Sequence, residues 1–229
     1  MSKVYLDFGH GGNDPGAVGN NLKEKDLTLS IGLEVGRILK RHGVEIVYSR
    51  TTDATMSLKQ RSDKANANNV DVFVSIHINS FTNRNANGVE TFSHTGSKRG
   101  LPLAKAIQDS LVSAKIFKTN RGTKTANFHV LRETKAPAAL TELGFISNTE
   151  DAQVLKTKQK EIAIAIAKGI LSFLKIKYKA EANKPSTPEI PNTGDLYKVQ
   201  VGAYSIKANA DKKLAELKAK GFEGYIKKE

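Results

Sequence analysis

Residues 70–77 read Val-Asp-Val-Phe-Val-Ser-Ile-His, a β-branched and aromatic run with little polar relief. A strand that alternates apolar and polar side chains can lie at a solvent surface. One that is apolar on both faces must be covered on both. The run therefore predicts a central strand with helices above and below it. Residues 4–8, 44–48, 88–93, 128–131 and 138–143 read as further strands. Leu27, Ile31, Val35 and Ile38 recur at helical spacing, in a helix capped by Asp26 and stopped by Gly43 just past its C-cap. Ser57 and Gln60 form a capping box for a helix to about residue 68. Two more helices are expected over 101–116 and 162–174. This alternation specifies an α/β class: a twisted, mostly parallel sheet flanked by helices.

The pattern changes after residue 178. Residues 179–194 hold Pro185, Pro188 and Pro191 among polar side chains without periodicity, which describes an extended linker. Residues 195–229 then read as strand (196–204), helix (207–220) and strand (223–227). Such a single βαβ unit is too small to bury a core alone. The expected organisation is a domain over 1–178, a linker over 179–194 and a small module over 195–229.

Four islands carry polar residues that a core has no use for: residues 7–12, 24–26, 75–80 and 140–145. His10 sits among Gly9, Gly11 and Gly12 just past a strand, and His77 ends another. Crevices beyond the carboxyl ends of strands are where open α/β sheets place ligands. A lone histidine in a glycine loop reads as a surface residue, but the repetition at His77 argues otherwise. Glu24 alone would read as an acid favoured at a helix N-terminus. Glu142 interrupts an otherwise apolar interior strand, where a buried carboxylate costs several kcal/mol unless paired or near a cation. Two imidazoles and one carboxylate form a ligand set for a catalytic zinc, and a further carboxylate nearby would serve as base. The chain has no cysteine, so any metal must be held by His, Asp or Glu. His129 is the best outside candidate for another metal contact, whereas His42 and His94 read as solvent-facing. A nucleotide-binding reading of Gly9-His10-Gly11 fails, because Asp14 occupies the third glycine position of G-x-G-x-x-G and a long loop precedes the helix.

The formal net charge is +13 over 229 residues, spread along the whole chain, which suits a polyanionic partner: nucleic acid, an anionic membrane surface or the teichoic-acid-bearing cell wall. With no Trp and 7% aromatics, a stacking platform for nucleic acid is hard to find, and none is expected as partner. No apolar run approaches the ~18–20 residues of a membrane span.

Residues 6–17, then Glu24-Lys25-Asp26-Leu27, Ser75-Ile76-His77-Ile78-Asn79-Ser80, Asn120-Arg121-Gly122 and residues 137–148, resemble in order and spacing the zinc-dependent N-acetylmuramoyl-L-alanine amidases of the Amidase_3 type. The resemblance implies that His10, Glu24 and His77 hold one zinc ion per catalytic domain and that Glu142 is the catalytic carboxylate. The implied substrate is the amide joining muramic acid to L-alanine in peptidoglycan. Glu142 would take a proton from the attacking water and return it to the leaving nitrogen. Asn79 and Arg121 are candidates for substrate binding; Arg50 and Arg61 read equally well as groove residues or structural ion pairs.

Residues 196–205 and the helix after them resemble half of a SPOR domain, a ferredoxin-like βαβ-βαβ module that binds glycan strands. One half leaves an apolar sheet face and open edges, so two chains are expected to pair their tails as a homodimer. The absence of a signal peptide implies synthesis in the cytoplasm and action on the cell wall after the membrane is breached. That suits a phage endolysin or an autolysin of the sporulating mother cell. The rival readings are a catalytically silent wall-binding protein, which would have no need of all four polar residues, and a zinc exopeptidase, for which a second ligand set is missing.

Overall fold

The computed structural model describes residues 1–181, 201–222 and 224–226, which fall into two compact units, 1–180 and 181–229. In the first unit, strand β1 (Lys3–Phe8) leads through a small hairpin of β2 (Val18–Gly19) and β3 (Leu22–Lys23) into helix α1 (Glu24–Arg41). Then follow β4 (Glu45–Tyr48), α2 (Leu58–Ala67), β5 (Val72–Asn79), β6 (Val89–His94) and α3 (Gly100–Ser113). The unit ends with β7 (Asn120–Ala126), α4 (His129–Glu133), β8 (Ala138–Phe145), α5 (Thr149–Thr157) and α6 (Gln159–Phe173).

Six strands form one sheet in the order β4-β1-β5-β8-β6-β7. The first four run parallel, while β6 is antiparallel to β8 and parallel to β7. The strand read as buried on both faces, β5, lies near the centre. Alternation along β1 sorts the two cores. Val4, Leu6 and Phe8 face α1, α3 and α6, in a cluster with Ile31, Ile107 and Ile166. Tyr5 points the other way, into a smaller cluster with Ala65 of α2, Phe73, and Val130 and Leu131 of α4. The expected mostly parallel sheet with helices on both faces is what the chain builds.

Helix signals came out as read at two ends. Ser57 Oγ accepts the Gln60 N–H at 3.2 Å while Gln60 Oε1 accepts the Ser57 N–H at 2.8 Å, a complete capping box. Gly43, with φ 75°, follows the C-cap His42 of α1. The start of α1 differs: Glu24 is its first residue and Asp26 lies within the first turn. The N-cap is Lys23, three residues before Asp26, and the carboxylate of Glu24 is occupied with backbone N–H groups outside the helix.

The strand expected over 128–131 is instead the short helix α4. Leu131 and Arg132 both donate backbone N–H groups to Phe128 O, closing a turn, and Val130 and Leu131 are buried together beneath α2. Packing against α2 overrides the β-preference of this triplet. The strand missed just before it, β7, is polar (Asn-Arg-Gly-Thr-Lys-Thr-Ala) because it is the sheet edge and has little apolar alternation to display.

In the second unit the described residues contain one helix, α7 (Lys207–Ala219), where a helix was expected over 207–220. The expected strand 196–204 falls partly outside the described residues, and residues 201–204 are irregular. Of the expected strand 223–227, the described residues 224–226 are likewise irregular. No helix among the described residues is long and apolar enough to cross a membrane.

Candidate metal centre

Parallel strands deliver their carboxyl ends to one rim, and three chemistry-bearing residues arrive there from three elements. His10 stands two residues beyond β1, in a left-handed conformation (φ 62°). The loop is fastened on both sides: Gly11 and Asp14 exchange backbone hydrogen bonds of 2.9 and 3.2 Å, and Arg61 Nη2 donates to His10 O at 2.9 Å. Glu24 opens α1 and is almost wholly buried. One of its oxygens accepts the Ala17 N–H at 2.8 Å and the other accepts the Ile78 N–H at 2.9 Å. His77 lies near the end of β5. Backbone donors thus fix the carboxylate before either imidazole is considered.

The imidazoles close on that carboxylate. His10 Nε2 lies 3.2 Å from Glu24 Oε2, and His77 Nδ1 lies 2.9 Å from Oε1. The two rings meet edge-on with centroids 5.1 Å apart. One ligand atom from each of the three residues fits within a mutual distance of 4.8 Å. Gly9 and Gly16 make this approach possible. A Cβ at Gly9 would come within 2.4 Å of the His77 ring, and one at Gly16 within 2.5 Å of His10 and 2.7 Å of Glu24.

Burial pushes the Glu24 carboxyl upward, but the hydrogen bonds with His10 and His77 outweigh it and hold the group well below the usual carboxylate range. The hydrogen bond to Glu24 raises His10 to about 9, against the opposing effect of burial. Burial pulls His77 down, and its hydrogen bond to Glu24 together with the surrounding carboxylates raises it on balance. The carboxylate therefore gathers positive charge from two sides, which a single divalent cation supplies equally well in exchange for protons. The donor set of two nitrogens and one carboxylate oxygen is the type that zinc takes in catalytic sites. The other nitrogen of His10, Nδ1, lies 2.8 Å from Asp14 Oδ2, the carboxylate support that fixes the ring of a metal-bound histidine. The side chains of His10 and His77 remain about one-quarter and one-fifth exposed, so the cluster is open on one side. On these grounds the residues fit the metal.

Glu142 lies beside His77 as its register partner on β8. Its Oε2 is sealed from solvent and has no hydrogen-bond partner among the described residues. Burial is the main cause that raises its carboxyl to about 7, and the nearby carboxylates of Glu24 and Glu90 add to the effect.

Asn79 and Arg121 also reach this rim, joined through a residue that the sequence reading missed. Glu90 on β6 is the antiparallel partner of Glu142. It accepts from Asn79 Nδ2 at 2.8 Å, from Arg121 Nε at 3.1 Å, and from Lys124 Nζ. Arg121 further lies over the Phe145 ring, 4.8 Å from its centroid. The sequence signal was weak: Glu90 lies in Val-Glu-Thr-Phe-Ser-His, where polar residues are the rule and a glutamate does not stand out.

The remaining candidates lie elsewhere. Arg61 pairs with Asp7 in the interior. Arg50 is buried and donates to Phe8 O, Gly9 O, Lys25 O and Thr52 O, tying loops together. His129 sits on α4, its Nε2 3.5 Å from Ser62 Oγ, and is not gathered to the cluster. His42 is not simply solvent-facing: it stacks on Tyr178 and accepts the Lys179 N–H at 2.9 Å.

Comparison with known proteins assigns the chain to a family. The family model described as N-acetylmuramoyl-L-alanine amidase (Amidase_3) matches residues 4–172, and that of the SPOR domain matches residues 143–228. The chain is 40% identical over 233 residues to a sporulation-specific N-acetylmuramoyl-L-alanine amidase of Bacillus subtilis, covering 99% of this chain and 84% of that protein. It is 37% identical over 205 residues to an endolysin of Bacillus phage SPP1, covering 85% and 74%. Among solved structures, the catalytic domain of the amidase CwlV from Bacillus (Paenibacillus) polymyxa var. colistinus superposes with a TM-score of 0.74 at 37% identity, over 77% of this chain and all of that one.

Proposed function

Since the chain belongs to the Amidase_3 family and is an N-acetylmuramoyl-L-alanine amidase acting on peptidoglycan, we propose that it works with a single zinc ion held by His10, Glu24 and His77. The observation that carries this reading is the convergence of those three donors beside the isolated carboxylate of Glu142. Zinc bound there supplies Lewis acidity toward the amide carbonyl and acidifies water.

The chain's own residues supply the rest. Glu142, raised to about 7, is suited both to accept a proton from the attacking water and to return it to the departing L-alanine nitrogen. Glu90 orients Asn79, Arg121 and Lys124 along the same rim. Forked and point cations there suit the carboxylates of the stem peptide.

Product analysis on purified peptidoglycan tests the reaction: stem peptides with new L-alanine amino termini are expected, and new reducing sugar ends would overturn it. Metal analysis tests the site. Wild type is expected to retain one zinc per chain and His77→Ala to lose it, with activity falling in step. Undiminished zinc in His77→Ala would place the ion elsewhere.

For the tail, we propose pairing between two copies. Ile206, Phe222 and Tyr225 are 59%, 61% and 74% exposed, apolar surface around α7 that a second chain would cover. The sedimentation mass of the full chain should rise from monomer to dimer with concentration. A constant monomer mass would end the idea.

A further inference from the structure

The rim opposite the metal cluster holds a second concavity. Because β6 runs antiparallel to β8, with Phe92 level with Leu140, the chain leaves β6 near the start of β8. Residues 94–99 there face residues 131–137, and a cavity of about 350 Å³ lies between them. Glu142 is four residues along β8 from Ala138, about 13 Å at the rise of a strand. The cavity and the metal cluster thus sit at opposite ends of the same strand.

The lining is cationic. Lys98, Arg99, Arg132 and Lys135 contribute to it, and among the described residues no Asp or Glu does. Arg132 is engaged by Glu133 and Asn127. Lys98, Arg99 and Lys135 have no ion-pair partner among the described residues. Elsewhere Lys59, Lys105, Lys118 and Lys158 each have an acidic partner, while Lys115, Lys156 and Lys177 have none among the described residues, so what sets the trio apart is its convergence on one hollow. Arg99 is also the N-cap of the 14-residue α3, whose positive dipole end adds to the same field.

A buried hydroxyl supplies an independent pointer. Thr134 lines the cavity and is only 8% exposed, yet its Oγ1 has no hydrogen-bond partner among the described residues. Such groups are rare in folded proteins; this oxygen is sealed from solvent, so a turn about χ1 would have to bring it to a ligand oxygen. Both walls are built in advance. Ser97 Oγ accepts the Gly100 N–H at 2.9 Å, and Asn66 Oδ1 accepts the Lys135 N–H at 2.9 Å.

We propose that this cavity binds a phosphate group, specifically the phosphodiester of an anionic polymer attached to the peptidoglycan that the enzyme cleaves. Guanidinium, ammonium and hydroxyl donors around one hollow are a donor set for a tetrahedral oxyanion. The formal charge of +13 supplies the long-range attraction. The site anchors the enzyme on the wall from the side away from the catalytic rim. It does not depend on which metal serves catalysis, so its failure leaves that assignment untouched.

Calorimetric titration of the full chain with a soluble glycerol-phosphate oligomer tests it. Lys98→Gln/Arg99→Gln/Lys135→Gln should weaken binding about tenfold or more. A control triple at exposed positions, Lys115→Gln/Lys156→Gln/Lys177→Gln, should cost about twofold or less for the same lost charge. Thr134→Val, which removes a hydroxyl without a protein partner, should weaken the oligomer severalfold with no loss of thermal stability. Cleavage of a small soluble muropeptide should match wild type in all of them. Competition by millimolar inorganic phosphate would place recognition on the phosphate group itself, as proposed. Equal losses in the two triples would reduce the effect to delocalised charge and overturn the site. Duplex DNA competing as strongly as the oligomer would overturn the assignment to a wall polymer.

Discussion

Glu142→Gln is expected to lower turnover on purified peptidoglycan by about 10²–10⁴-fold, the usual contribution of a positioned general acid–base. The substitution keeps shape and volume but removes the ability to take and return a proton. Zinc content should not change, because His10, Glu24 and His77 are left intact. Thermal stability should hold or rise. Wild-type Glu142 keeps one sealed oxygen without a hydrogen bond, a state that costs roughly 1–3 kcal/mol, and an amide bears that position more easily than a carboxylate. The comparison therefore separates catalysis from folding: activity falls while the melting curve does not. If Glu142→Gln kept more than a tenth of wild-type turnover, the base would have to be sought elsewhere, with Glu90 next in line.

Arg61→Ala is expected to act through stability and through the metal site together. Arg61 reaches from α2 over the sheet face that carries Tyr5 and Asp7. Its Nη1 donates to Asp7 Oδ1 and to Phe8 O, both at 2.6 Å, its Nη2 to His10 O at 2.9 Å, and its Nε to Met56 O at 3.1 Å. Asp7 Oδ2 accepts from Ser75 Oγ at 2.8 Å. Both partners of the pair are almost fully buried. Removing one partner of a buried pair leaves an uncompensated charge and costs about 3–5 kcal/mol. At about 2–4 °C per kcal/mol for a domain of this size, the melting temperature should fall by about 10 °C. The double variant Asp7→Asn/Arg61→Met removes the orphaned charge and should recover much of that loss. Zinc affinity should stay impaired in the double variant, because His10 O has lost its donor. Thermal melts and zinc titration of both variants decide the matter. Full recovery of zinc affinity in the double variant would mean that Arg61 has no part in holding the loop.

The sequence made some of this legible because apolar periodicity reports burial directly. The run at β5 and the spacing of Leu27, Ile31, Val35 and Ile38 identify a two-sided sheet and the helix across it. Glu142 stood out because a carboxylate is costly in an apolar strand; His10 and Glu24 read as bland alone and stood out only through the repetition at His77 and the family resemblance. Periodicity says nothing about partners distant in the chain. Asp7 was visible as an oddity, yet Arg61, 54 residues away, is what makes it tolerable. The edge strand β7 has no apolar alternation to detect, and α4 is held by packing beneath α2 against its own local preference. Glu90 was missed because its strand, Val-Glu-Thr-Phe-Ser-His, is mostly polar and does not mark a carboxylate as out of place.

The wide spacing of the metal donors also sets an order of events in biogenesis. His10 and Glu24 are close in sequence, but His77 meets Glu24 across a sequence separation of 53, and only once β1 and β5 are paired in register. Closing so long a loop must precede any grip on an ion. A newly made chain has no local finger for zinc to template. Under the proposed zinc assignment the scaffold has to stand on its own packing first and the ion would arrive as the last component, which would keep a wall-cutting activity silent until the fold is complete.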